Sequence, residues 1–316
     1  MKRTITSIVL VALVIGACGG GSDDTTGGTT AIPTPGLPVT YTGPDGATST
    51  VTDASRIVTL SGEYTEIVFA LGLGTNLVGI DLSSVYPEEE TKSIPKIGVE
   101  FRLLAEPIIA QEPTVVIGDE DAVPKDVIQQ VRAAEIPVVI LPALTTVGAP
   151  AEKIRLTAHV LGVDAVGDEL ARRVQAEIDE AIALAARAET RPRVAFVYIA
   201  SDDTILIFGD DTVGGGLMAA AGAVNVATEA GIEGWVPLTP EALVAGQPDV
   251  IITASRGFEA VGGMDGFLAI PGVSETPAGQ DRNILVYEDL YILGLSVRAG
   301  LALMDVVLAI HPDLSR

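Results

Sequence analysis

The apolar positions of the chain follow two alternating rhythms. Short continuous runs read as strands buried on both faces: Arg56-Ile-Val-Thr-Leu60, Leu77 to Ile80, Val115-Val-Ile117, Pro137 to Leu141, Val194 to Ile199, Val250-Ile-Ile252 and Asn283 to Tyr287. Helical spacing fills the intervals, from about Thr65 to Leu71 (stopped by Gly72 and Gly74), near Pro124 to Glu135, from Gly214-Gly-Gly216 through Ala221, and from about Val297 to Ile310. Ahead of these, Val39-Thr-Tyr41 and Ser49 to Thr52 flank Gly43-Pro-Asp-Gly46, a hairpin signal. Strands alternating with helices predict parallel sheets covered by helices on both faces.

One unit of this pattern occurs twice. Leu103-Leu-Ala-Glu106-Pro-Ile-Ile-Ala-Gln-Glu-Pro-Thr-Val-Val-Ile117 returns as Leu238-Thr-Pro-Glu241-Ala-Leu-Val-Ala-Gly-Gln-Pro-Asp-Val-Ile-Ile252. Each copy starts a short helix with Glu in its first turn, breaks at Pro and continues as a buried strand. The separation of the copies far exceeds a solenoid period of about 20–50 residues. Between them, from Asp168 to about Ala188, Leu170, Val174, Ile178, Ala181, Ile182 and Ala185 form an apolar stripe opposite a charged face. A helix of about twenty residues is a rod of roughly 30 Å, long enough to join two domains. The expectation is two Rossmann-like α/β lobes with parallel-rich sheets, residues 38–150 and 191–316, joined by a linker region, residues 151–190, that carries one long backbone helix.

The N-terminus adds an address. Lys2 and Arg3 precede an apolar segment, Ile8 to Ile15, too short to span a bilayer, and Ile15-Gly-Ala-Cys18 resembles a bacterial lipobox. Residues 1–18 are therefore expected to be a lipoprotein signal peptide, with Cys18, the only cysteine, as the lipidated residue. An ordinary signal peptide with an incidental cysteine is the other reading. Residues 19–37, rich in Gly, Ser, Thr, Asp and Pro, read as a flexible tether. The body is then exported and lipid-anchored, at the outer face of the cytoplasmic membrane or in the periplasm.

Composition mainly excludes. A net charge of −23 argues against nucleic acid as a partner, since phosphate binding needs clustered Lys and Arg. With one cysteine there is no intramolecular disulfide and no cysteine metal site. Two histidines, His159 in a predicted helix and His311 near the C-terminus, suit neither a catalytic triad nor a transition-metal cage. Gly214-Gly-Gly216 lacks the lysine of a phosphate-binding loop. No catalytic residues and no resident metal site are expected. Ligand capture between two lobes fits better, with an enzyme or a surface adhesion protein as readings from other classes.

Several segments carry a resemblance: Arg56-Ile-Val-Thr-Leu-Ser-Gly-Glu-Tyr-Thr-Glu66, Asp81-Leu-Ser-Ser-Val-Tyr-Pro87, Glu112-Pro-Thr-Val-Val-Ile-Gly118, Ala260-Val-Gly-Gly-Met-Asp-Gly266, Thr276-Pro-Ala-Gly279, and Asp289-Leu-Tyr-Ile-Leu-Gly294 with Arg298. They resemble the substrate-binding lipoproteins of haem ABC importers, within the class that also carries cobalamin and ferric siderophores. The similarity covers about residues 38 to 312. It implies a two-lobed fold of the helical-backbone metal receptor type, haem as the transported ligand, and a permease dimer with its ATPase as partner.

It also implies roles for particular residues. Tyr86 matches an iron-ligating Tyr of many relatives, and a phenolate suits ferric haem; a Tyr packed before Pro is the alternative. Tyr198 matches a second-lobe Tyr ligand of a subgroup in which an Arg follows two residues later, or else packs in a buried strand. Ala200 stands there in this chain, and the His that the subgroup places near Val99-Glu100 is missing. Arg102 and Arg298 are candidates to meet a ligand's carboxylates, or else form surface salt bridges. Trp235 is a candidate to stack on a flat macrocycle, or else fills the core. Glu106 and Glu241 match the glutamates that dock on the permease, or else act as helix-terminal charges. Cobalamin or ferric-siderophore binding in the same cleft is the alternative function.

Overall fold

A computed structural model describes residues 35–201 and 203–315, so the expectations for residues 1–18, Cys18 and residues 19–34 of the tether lie outside them. A hairpin of β1 (Val39–Thr42) and β2 (Thr48–Val51) opens the described chain. The N-terminal lobe is a four-stranded, wholly parallel sheet of β3 (Ile57–Thr59), β4 (Leu77–Ile80), β5 (Val115–Asp119) and β6 (Val138–Leu141), in spatial order β4-β3-β5-β6. The C-terminal lobe holds β7 (Arg193–Ser201), β8 (Thr204–Phe208), β9 (Val224–Asn225), β10 (Trp235–Pro237), β11 (Val250–Ala254) and β12 (Ile284–Tyr287). Its order is β10-β8-β7-β11-β12, with β9 also paired to β7; β7, β11 and β12 run parallel, while β8 is antiparallel to β7 and to β10.

The strand runs are continuously apolar because both faces of each sheet are covered. In the N-terminal lobe Ile57, Val115, Ile117, Val139 and Leu141 point into one core, while Val58, Leu60, Val116, Val138 and Ile140 point into a separate outer one. That is the two-residue period of a strand, filled with apolar side chains on both sides. The inner core runs on without a break through the backbone helix into Val194, Phe196 and Ile252 of the second lobe.

The backbone helix spans Asp164–Ala185 and starts earlier than the stripe alone predicts. The preceding helix, Pro150–Val160, ends in a Schellman arrangement, in which Val163 N–H reaches Ala158 O and Gly162 N–H reaches His159 O, both at 2.9 Å. Gly162 has φ +71° there, a conformation that glycine adopts freely, and the chain re-enters a helix immediately at Asp164. The buried stripe is Gly167, Leu170, Ala171, Val174, Ile178, Ala181, Leu184 and Ala185. One side packs on Pro150–Val160, which belongs with the first lobe, and the other on the last helix, Ala299–Ile310, which belongs with the second. Gly300 makes the second crossing close, because a Cβ there would sit 2.4 Å from Glu177 Cβ. Among the described residues no helix is long and apolar enough to cross a membrane.

Candidate functional site

In open parallel α/β sheets the crevice for a ligand forms beyond the carboxyl ends of the strands. Here both sheets present those ends to each other. From the first lobe come Ser61, Gly62 and Glu63 after β3, Ser83 after β4, Glu100 and Phe101 from the loop that follows, Asp119 and Asp121 at the end of β5, Ala143 to Thr145 after β6, and Lys153. From the second come Tyr198 on β7, Val213, Arg256 after β11, and Asp289, Leu290, Leu293, Gly294 and Leu295 after β12. They enclose a cavity of about 310 Å³. The short helix Asp289–Leu293 is its floor and packs Leu290 toward Gly62 of the opposite lobe.

Local hydrogen bonds fix the first wall. Asp81 accepts the N–H of Ser83 at 2.5 Å and of Glu100 at 2.9 Å, tying two cavity loops together. Tyr64 OH donates to Asp119 Oδ2 at 3.2 Å, and Lys153 pairs with Glu63 Oε2 at 2.8 Å. Burial, reinforced by Asp119 and Glu63, pushes the Glu100 carboxyl up to about 10. Burial likewise raises Glu63 to about 7, against the pull of Lys153. Glu100 is therefore a neutral carboxylic acid at neutral pH, with Oε1 buried and without a protein partner.

The second wall differs. Asp289 accepts the Arg256 backbone N–H at 3.0 Å, which places the largely exposed Arg256 side chain at the cavity beside Tyr198. Burial and then Asp289 raise the Tyr198 phenol above its ordinary range, while Arg256 pulls it down. The Tyr198 ring rests on Phe208, 5.8 Å between centroids.

The residues expected from the sequence distribute unevenly. Tyr198 is on the cavity wall. Tyr86 is not: it faces a separate opening of about 490 Å³ on another side of the inter-lobe junction, where Arg298 stacks 4.1 Å from its ring centre. Arg298 lies with it, its guanidinium paired with Glu66 and Glu288 and outside the cavity lining. Arg102 is displaced by geometry: its N–H closes a tight turn onto Val99 O at 2.9 Å, and the neighbours Glu100 and Phe101 reach the cavity instead. Trp235 lies on edge strand β10, 65% exposed, and neither stacks at the cavity nor fills the core. Glu106 and Glu241 are both exposed, in the first turns of Ala105–Ile109 and Pro240–Gly246. The side-chain cap of the latter helix is Thr239, which accepts the Ala242 N–H at 3.3 Å.

Sequence reasoning missed Arg256, Glu63, Phe101 and the floor helix as site residues, and treated Glu100 only as the place of an absent His. Arg256 was within reach, since it follows the duplicated strand at the carboxyl end where crevices form. Among the described residues no group of three or more His, Cys, Asp or Glu is arranged to hold a metal ion.

The fold and its cleft define a two-lobed ligand-capture protein. The chain belongs to the periplasmic binding protein family, whose model matches residues 57–290. Within it, the chain is an ABC transporter substrate-binding protein of the cobalamin, siderophore and haem class. It is similar to the periplasmic haem-binding protein RhuT from Roseiflexus sp. RS-1 in apo form, with a TM-score of 0.80 and 45% identity over 82% of this chain and 99% of that one. It is 27% identical to the uncharacterised ABC transporter substrate-binding lipoprotein YvrC of Bacillus subtilis, over 78% of each chain. It is also 26% identical to a vitamin B12-binding protein of Vibrio campbellii, over 64% of this chain and 71% of the relative.

Proposed function

We propose that the protein captures haem in the inter-lobe cavity and hands it to an ABC importer. The observation that carries this reading is the Tyr198 phenol on the cavity wall beside Arg256. A phenolate is a hard anionic ligand for ferric iron; burial and Asp289 keep the phenol protonated in the empty site, and Arg256 works against them. Arg256 thus takes the place left open by Ala200, arriving from the helix that follows β11. It is also the cation available at the second wall for a porphyrin carboxylate. On the first wall the cation Lys153 is already paired with Glu63, which leaves the second lobe to receive the propionates. Glu100, neutral and unpartnered, offers a hydrogen bond on the face opposite Tyr198. The 45% identity to a haem-binding relative supports the same reading.

Glu106 and Glu241, one exposed carboxylate per lobe, are the docking contacts for a two-subunit permease, and Cys18 is the lipid anchor that holds the body at the membrane. Cobalamin capture is the second reading, favoured by the vitamin B12-binding relative. Parallel titrations of the purified protein with haemin, cyanocobalamin and a ferric siderophore separate the two. Saturable haemin binding with no cyanocobalamin binding supports the proposal, and the reverse order of affinities rejects it.

A further inference from the structure

Arg298 stands where the two lobes meet, outside the cavity and behind its floor. It immediately precedes the helix Ala299–Ile310 of the second lobe. Its Nε donates to Glu66 Oε1 at 3.0 Å, and its Nη2 donates both to that oxygen and, at 3.1 Å, to Glu288 Oε2. Glu66 belongs to the first lobe, in the helix Gly62–Ala70, and is 1% exposed. Glu288 belongs to the second lobe, at the end of β12. Two rings flank the guanidinium in the same fashion: Tyr86 from the first lobe at 4.1 Å and Tyr291 from the second at 5.0 Å. One acid and one ring from each lobe therefore grip a single side chain. The planar fork of arginine suits this, since it bonds in two directions while both its faces stay free to stack.

The grip reaches the ligand site through Glu288. The same carboxylate accepts the N–H groups of Leu290 at 2.7 Å and Tyr291 at 2.9 Å, capping the floor helix Asp289–Leu293. Leu290 and Leu293 of that helix line the cavity. A second inter-lobe bond lies beside it, Ser296 Oγ donating to Glu63 O at 3.1 Å, and Glu63 is a cavity residue. Every partner of Arg298 thus bears either on the distance between the lobes or on the position of the floor.

We propose that Glu66, Arg298 and Glu288 form an inter-lobe latch that sets the width of the cleft and seats its floor helix. Arg298 is a positioning residue that acts without touching the ligand. The latch holds the cleft in its receiving geometry before the ligand arrives, so little lobe movement accompanies capture. Only the release-rate arm of the test rests on the haem reading; the width of the empty cleft does not.

The chain's single cysteine makes the width measurable. In the full chain carrying Cys18→Ser, spin labels on cysteines introduced at the exposed positions Gln129 and Glu259 report the inter-lobe distance by double electron–electron resonance, without ligand. The latch predicts one narrow distance in the parent and a broader, longer distribution in Arg298→Ala. Arg298→Lys broadens it as well, because an ammonium lacks the planar fork that bonds both acids while its two faces stack on the rings. Glu66→Gln, nearly isosteric, broadens it less and carries the test should Arg298→Ala not fold. In the haemin-binding arm, Arg298→Ala releases haemin faster by roughly tenfold, with the absorption spectrum of the bound haemin unchanged. Unaltered distance distributions in Glu66→Gln and Arg298→Lys overturn the latch. Absence of haemin binding by the parent overturns the haem reading alone, and the distances still decide the latch.

Discussion

Lys153 donates to Glu63 Oε2 across 2.8 Å with its own side chain only 3% exposed, so the cavity's first wall contains a buried ion pair. Removing the lysine strands a carboxyl in a region already crowded by Asp119 and Glu100. Lys153→Ala is expected to destabilise the fold by about 3 kcal/mol, since breaking a buried pair is strongly unfavourable. Urea unfolding checks it: a midpoint indistinguishable from the parent contradicts the pair's structural role. The same variant should raise the Glu63 carboxyl further, because Lys153 is the group that pulls it down.

Stability should depend on pH through the same wall. The folded-state values of Glu100, about 10, and Glu63, about 7, lie above the ordinary 4.5 of a glutamate. A carboxyl that binds its proton more tightly when folded stabilises the fold at low pH, and that contribution is lost as pH rises through the folded value. The melting temperature is therefore expected to fall between pH 5 and pH 9. Glu100→Gln, neutral throughout, should flatten the decline; equal slopes for variant and parent contradict the assignment.

The crossing of the backbone helix with the last helix depends on the missing side chain of Gly300. A Cβ there meets Glu177 Cβ at 2.4 Å and Glu177 backbone at 2.9 Å, too close without a backbone shift. Gly300→Ala should lower stability by about 1–3 kcal/mol, the usual range for overpacking. It should do so in a single transition, since one core runs through both lobes and the helix. Calorimetry checks both: two separated transitions speak against the shared core.

The docking proposed for the duplicated glutamates predicts that capture and delivery can be separated. Glu106 and Glu241 are exposed and lie outside the cavity-lining set. The double variant Glu106→Ala, Glu241→Ala should bind haemin like the parent yet fail to support uptake in vesicles containing the importer. Normal uptake by the double variant contradicts docking through these residues.

Much of the architecture was legible in the sequence because burial on both sheet faces writes itself as uninterrupted apolar runs, such as Val115-Val-Ile117 and Val250-Ile-Ile252. The long amphipathic helix was equally plain, although its first turn was hidden, since the Schellman stop at Gly162 is a conformational event and not an apolar period. The cavity was less legible. Tyr198 looked like strand packing because its ring does pack on Phe208, and only the facing of two strand ends brings its hydroxyl to a shared space. Tyr198 lies on β7 and Arg256 just after β11, and no local spacing relates them. In the sequence Arg298 and Tyr86 suggest ligand contacts, because a cation and a phenol suit haem. Their mutual stacking and the buried Glu66 are long-range relationships that the linear chain does not display.

In the proposed complex the Tyr198 phenolate binds the iron of captured haem. Absorption and electron paramagnetic resonance spectra of haemin bound to the parent, to Tyr198→Phe and to Tyr86→Phe test it most directly. A high-spin ferric tyrosinate signature is expected in the parent, with its loss in Tyr198→Phe and its retention in Tyr86→Phe. A signature that survives in Tyr198→Phe and vanishes in Tyr86→Phe contradicts it.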